Sequence, residues 1–422
     1  MYGLGLEISP ASSAYALAPP PANRIVAACA PGSRAACWRS SLCSISSSHT
    51  SRSRSKMKSC AIGSASTSKE TNQARECPDH LLVLVHGILS SPSDWKYFKQ
   101  ELKARLGSKF YIHASSVNSY LQTLTGIDMA GKRLADEVSE VVQKHPQLQR
   151  ISFVAHSLGG LFARYAIGIL YLPLQPSKKL MNPSITGLDP VSFITLATPH
   201  LGVRGRQQLP FLMGVPVLEK IAAPIAPFIV GRTGRQLFLT DGKASDPPLL
   251  LRMATDCEQG QFISALRAFK LRAVYANVSY DHMVGWRTSS IRRESELSKP
   301  PRKSLEGYKH VVNVRYCPAI QSDGPSFEDN TAGAKEAAQK QPSSIEAKEY
   351  HDILEEEMVR GLQQVSWQKV DVSFHSAIWP FFAHNNIHVK QEWLHYEGAG
   401  VVSHVADTLK QQEHGAFLEA NL

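Results

Sequence analysis

Short apolar runs alternate with amphipathic stretches along most of this chain. "LLVLVH" (81–86) is apolar up to its last residue, the pattern of a strand covered on both faces. "DWKYFKQELKARLG" is amphipathic and predicts a helix ending at Gly107, with a second strand in "FYIHAS". Over 127–142, Ile127, Gly131, Leu134, Val138, Val141 and Val142 share one helical face, and His145-Pro146 closes that helix. "ISFVA" predicts the third strand, 158–172 a helix, and "VSFITLA" (191–197) another buried strand. Further on come a helix around "QFISALRAF" and strands in "KLRAVYANV", "YKHVVNVRY" and "WQKVDVSF". The helix "IEAKEYHDILEEEMVRGLQQ" precedes the last strand, and a closing helix lies near 399–411. This alternation predicts an α/β fold: a mostly parallel sheet with helices on both faces. Ligands of such sheets collect beyond the carboxyl ends of the strands.

Three stretches break the pattern. "LPFLMGVPVLEKIAAPIAPFIV" (209–230) is apolar, yet Glu219, Lys220 and four prolines argue against a membrane span. Its Phe211, Leu212, Met213, Val215, Val217, Leu218, Phe228 and Ile229 predict either a cap core over the sheet or a lid touching a lipid surface. It lies in a lid or cap insertion at about 203–256. Residues 321–344 are polar and glycine-rich and read as a flexible insertion. Residues 1–75 are rich in Ser, Ala, Arg and Pro and almost free of acids, a disordered, transit-peptide-like composition. Abundant serine favours the chloroplast (plastid) over a mitochondrion or the cytoplasm. The remainder, 78–412, is the expected folded domain.

Composition narrows the choices. The formal charge of +10 is concentrated at the start, where Arg24, Arg34, Arg39, Arg52, Arg54, Lys56, Lys58 and Lys69 face only Glu7. The remainder carries no basic stripe interleaved with aromatics, so nucleic acid is not an expected partner. Of the seven cysteines, only Cys257 and Cys317 fall in the part that reads as folded, and their spacing resembles neither a metal site nor a disulfide framework.

The chemistry sits where strands end. In "ISFVAHSLGGLFARYA" (151–166), Ser157 lies between a strand and a helix with small residues at 155 and 159, as a nucleophile on a sharp turn requires. Ala155 stands where the usual Gly-x-Ser-x-Gly has glycine, and a serine N-cap on a buried helix is the alternative. His86-Gly87-Ile88 follows the first strand; the N–H groups of Ile88 and Leu158 are the candidate oxyanion donors. A serine needs a base and an orienting carboxylate, in the chain order Ser, acid, His. Asp281 follows the strand "LRAVYANV" and is preferred to Asp256, which reads as a helix-start residue. His384 is the chosen base, in a loop past the last strand, with His388 and His404 behind it and His375 too near the strand end. His156, His200 and His282 read as structural; a hydrogen bond lent to the site is the alternative for each.

The blocks "LVLVHGILSSPSDW", "GIDMAGKRLADEV", "VAHSLGGLFARYAIG", "FITLATPHLGVRG" and "YANVSYDHMVGWRTSSIRR" occur in order. Together they resemble the α/β-hydrolase family known as the putative serine esterases, which includes plant and fungal lipases acting on glycerolipids. The resemblance runs from about 78 to 412 and implies an α/β-hydrolase fold with a triad on Ser157, Asp281 and His384. Members of that family often carry Ala before His-Ser. It also implies a lipase-like serine esterase that needs no metal or organic cofactor and acts on a lipid or acyl-ester substrate. Peripheral membrane contact through 209–230 is the accompanying expectation. A catalytically inactive ligand-binding module and an acyltransferase are the alternatives.

Overall fold

The computed structural model describes residues 77–174, 182–203, 231–242, 246–299, 301, 303–320 and 345–419. The transit-peptide-like segment 1–75, the apolar stretch 209–230 and the insertion 321–344 lie outside the described residues.

Seven strands form the main sheet: β1 (His80–Val85), β2 (Phe110–Ala114), β3 (Arg150–His156), β4 (Asp189–Leu196), β5 (Leu271–Asn277), β6 (Val311–Cys317) and β7 (Trp367–Val372). Their order across the sheet is β6-β7-β5-β4-β3-β1-β2, and every pairing is parallel except β6 with β7. β1 lies one strand in from the edge that β2 forms; the chain then crosses back to β3 and adds β4 and β5 outward from it. This is the α/β-hydrolase order, and its carboxyl ends open on one rim.

Why these runs make a covered sheet is visible in β1. Leu81, Val83 and Val85 point into one apolar cluster, and Leu82 and Leu84 into another. The side-chain period of two in a strand therefore serves two cores at once. The first core is closed by helices α2 (Ile127–Lys144), α3 (Gly159–Leu170), α4 (Phe262–Ala268) and α5 (Ile345–Leu362). The second lies under α1 (Lys96–Leu106) and α7 (Ala399–Glu419), with Phe98, Leu102, Val401, Val405 and Leu409 buried there. Gly107 ends α1 at φ +71°, a backbone position where a side chain is strained. α3 stops at Leu170 rather than 172, because Tyr171 and Leu172 pair with Ser184–Ile185 in a short hairpin. A strand ladder takes those backbone groups before the helix can.

Candidate active site

At the end of β3, Ser157 adopts φ +55°, the left-handed region that costs a non-glycine residue on the order of 1–3 kcal/mol. The conformation is held from two sides. The Ser157 N–H donates to the Leu196 carbonyl at 2.8 Å, and the Thr198 hydroxyl donates to the Ser157 carbonyl at 2.8 Å. A Cβ on Gly159 would lie 2.5 Å from the Val85 carbonyl oxygen, and one on Gly160 would run into Thr198. Ala155, by contrast, is buried in the core opposite Val85, so its methyl is accommodated at the position where the usual motif has glycine.

The turn after β1 passes directly beside Ser157. A Cβ on Gly87 would lie 2.8 Å from Ser157 Cβ and 3.3 Å from its Oγ. Leu89 follows at φ +50° with its N–H bound to Thr123 Oγ1 at 3.0 Å, and Ser90 Oγ donates to the Ile88 carbonyl at 3.2 Å. Among the described residues, no acceptor meets the N–H of Ile88 or of Leu158. Lys390 ties the same loop down, with Nζ 3.2 Å from Asp94 and 3.5 Å from Ser90 Oγ.

His384 reaches Ser157 from the segment after β7. After β7 the chain runs through Pro380–Phe382 into a single helical turn, α6 (Ala383–Asn386). There His384 Nε2 lies 2.9 Å from Ser157 Oγ and Nδ1 lies 3.0 Å from Asp281 Oδ2. Asp281 stands four residues past β5, and its carboxylate is saturated. Oδ1 accepts the N–H groups of Met283 (3.0 Å) and Val284 (2.9 Å), and Oδ2 also accepts Asn277 Nδ2 at 2.8 Å. Burial by itself raises this carboxyl. The His384 charge and the hydrogen bonds from His384, Asn277 and Val284 outweigh it and hold the group below the usual carboxylate range. The acceptor that orients the imidazole is thus itself fixed by donors.

The structure brings together Ser157, Asp281 and His384, with Ile88 and Leu158 adjacent. The other weighed residues have other partners. Asp256 caps α4 through the N–H groups of Ile263 and Ser264. His404 Nδ1 meets the Tyr275 hydroxyl, and His375 meets the Tyr280 hydroxyl at 2.9 Å on the surface. His388 lies inside, stacked on His156 and edge-on to Trp95. His200 bonds Thr195, next to the buried Arg164. Residues that escaped the sequence reading include Asn277, Thr123 and Thr198. Each is an ordinary polar residue at a strand end or in a loop, and only contact with a distant segment marks it out. His156, read from the sequence as structural, lends a hydrogen bond: Nε2 donates to the His384 carbonyl at 2.8 Å.

Residues 75–291 match the model of a family described as "Putative serine esterase (DUF676)". That stretch contains Ser157 and Asp281 but ends before His384. "Putative lipase C4A8.10" of Schizosaccharomyces pombe is 30% identical over 225 residues, covering 51% of this chain and 26% of that protein. "Putative lipase ROG1" of Saccharomyces cerevisiae is 32% identical over 219 residues, covering 50% and 28%. The matched part therefore spans about a quarter of the length of these relatives. Among solved structures, the Bacillus licheniformis lipase BlEst2 is similar at 15% identity and TM-score 0.30, over 49% of this chain and 68% of that one. The Pyrococcus furiosus esterase Pf2001 is similar at 14% identity and TM-score 0.29, over 50% and 66%.

Proposed function

The chain belongs to the family described as "Putative serine esterase (DUF676)", and we propose that it is a serine carboxylic-ester hydrolase acting on lipid acyl esters. One observation carries the reading: a strained serine, an imidazole and a buried carboxylate are joined by hydrogen bonds of 2.9 and 3.0 Å at the sheet's carboxyl rim.

In this reading Ser157 Oγ attacks the ester carbonyl carbon while His384 Nε2 takes its proton. Asp281 steadies the resulting imidazolium, and the N–H groups of Ile88 and Leu158 receive the oxyanion. His384 then gives the proton to the departing alcohol as the acyl C–O bond breaks. Water, deprotonated by the same ring, attacks the acyl carbonyl; the bond to Ser157 Oγ breaks, His384 returns the proton to Oγ, and the carboxylic acid leaves.

Two observations support a lipid substrate. The relatives named above each carry the name "Putative lipase", and the loop leading to His384 exposes Ile378, Trp379 and Phe381 at 76%, 53% and 60%. Apolar side chains flanking the base suit contact with acyl chains or a membrane surface. Among the described residues no helix is long and apolar enough to cross a membrane, so the contact in this reading is peripheral, shared with 209–230. Residues 1–75 serve as a plastid transit peptide and 78–412 as the hydrolase domain.

The test is Ser157→Ala, with p-nitrophenyl esters of short and long chain and with a glycerolipid in vesicles. Hydrolysis falls by a factor on the order of 10³ or more, and a fluorophosphonate labels the wild type at Ser157. Undiminished hydrolysis by the alanine variant refutes the assignment. An unlabelled, inactive wild type favours a binding module, and acyl transfer to added alcohol in preference to water favours an acyltransferase.

A further inference from the structure

The dipeptide His156-Ser157 presents two side chains to the same partner. Ser157 Oγ meets the ring of His384, and His156 Nε2–H meets its backbone carbonyl at 2.8 Å. The setting shows why that second bond matters. α6 is one turn of four residues, too short to hold itself in water. Three of its carbonyls are met by backbone N–H groups: Ala383 by Ile387 (3.2 Å), Asn385 by Lys390 (3.2 Å) and Asn386 by Val389 (3.0 Å). The fourth, that of His384, is met by the imidazole of His156 instead.

The donor is itself held. The ring of His156 stacks on His388 with centroids 3.8 Å apart at 25°, and His388 packs edge-on to Trp95 at 5.3 Å. Both imidazoles are buried. Burial, with the neighbouring His388, His384 and Lys390 adding to it, pushes His156 well below its ordinary range, so it remains neutral around pH 7.

We propose that His156 is a positioning residue for the proton transfer: its Nε2–H fixes the backbone of His384, and so the distance from that imidazole to Ser157. The inference rests on the esterase reading. It also gives a reason for a histidine beside the nucleophile that strand packing alone does not supply. Through this bond β3 positions both the serine and its base, although they are separated by more than two hundred residues of chain.

Three variants test it. Glutamine places an amide N–H near the position of Nε2, asparagine falls short of it, and leucine removes the donor. The expected result is a loss of kcat of about 10–100-fold in H156L and H156N, with KM within about twofold. H156Q recovers to within about threefold of wild type, and the rate of fluorophosphonate labelling at Ser157 follows kcat. A thermal midpoint is measured for each protein, and if H156L does not fold, the contrast between H156Q and H156N decides. Wild-type kcat in H156N and H156L overturns the inference, as does an equal loss in all three variants, which marks a packing role. A wild type that neither hydrolyses esters nor labels overturns the esterase reading, and this inference with it. An active wild type with an unaffected H156N overturns this inference alone.

Discussion

Asp281→Asn separates orientation from mere contact. The wild-type carboxylate offers only acceptors: two backbone N–H groups at Oδ1, and Asn277 Nδ2 and His384 Nδ1 at Oδ2. An asparagine has one oxygen to place. The two backbone donors cannot turn, so the oxygen goes to them and the NH₂ takes the Oδ2 position. There it faces Asn277 and His384. The amide of Asn277 can turn over, because its own oxygen has no partner among the described residues, and thus relieves one donor-donor contact. His384 can answer only by carrying its proton on Nε2, leaving Nδ1 to accept from the new amide. In that tautomer Nε2 has no lone pair for the Ser157 proton. The predicted loss is on the order of 10⁴ in kcat, about 5.4 kcal/mol at 1.36 kcal/mol per decade. These two adjustments satisfy the groups that face position 281 but turn the Asn277 NH₂ to where its oxygen had no partner, so stability falls by about 1–3 kcal/mol. Initial-rate hydrolysis of a p-nitrophenyl ester by D281N, beside its thermal midpoint, reads both quantities. If kcat stays within tenfold of wild type while the midpoint is unchanged, Asp281 does not orient the base and the argument from acceptor geometry is wrong.

Other consequences are equally direct. Gly159→Ala drives a methyl against the carbonyls of Val85 and His86, where the oxyanion loop begins; a stability loss of about 1–3 kcal/mol with a drop in kcat is expected, and unchanged melting and turnover refute it. Asp371, buried with Arg292 at 2.5 Å and also accepting from Trp286 and Asn313, leaves an unpaired buried cation when replaced by alanine. D371A is expected to cost about 3–5 kcal/mol, read as a fall in thermal midpoint on the order of 10 °C. Asp281, Glu137 and Glu413 each hold a carboxyl below the usual range because partners outweigh burial, and burial pushes His86, His156 and His388 down as well. In every case the unfolded chain binds more protons. Stability is therefore fully present above about pH 6.5, falls first as the unfolded histidines take up protons, and falls again through the carboxylate range. A midpoint that is flat from pH 7 to pH 4 contradicts this sign.

How much of this was legible beforehand follows from the range of each interaction. β1, β3 and β4 are runs of apolar residues buried on both faces, and that pattern is local, so "LLVLVH", "ISFVA" and "VSFITLA" suffice to place them. The strand-to-helix turn at Ser157 is local too, since the need for small residues there arises within a few positions. Asp281 was legible because it follows a strand, and Asp256 was separable because its carboxylate caps a nearby helix.

Choosing among the histidines was a different problem. His375, His384, His388 and His404 follow one strand within about thirty residues, and composition distinguishes none of them. Tertiary packing decides: α7 turns His404 to Tyr275, the His156 ring covers His388, and one turn of helix aims His384 at the serine. The same holds for Asn277, Thr198 and His156, whose roles depend on which segment folds against them. The sequence alone determined the layered sheet and the nucleophile's turn, because propensity and periodicity act between neighbours. Only the folded chain decided which imidazole meets Ser157 and what steadies it, because hydrogen-bond geometry between remote segments has no counterpart in local pattern.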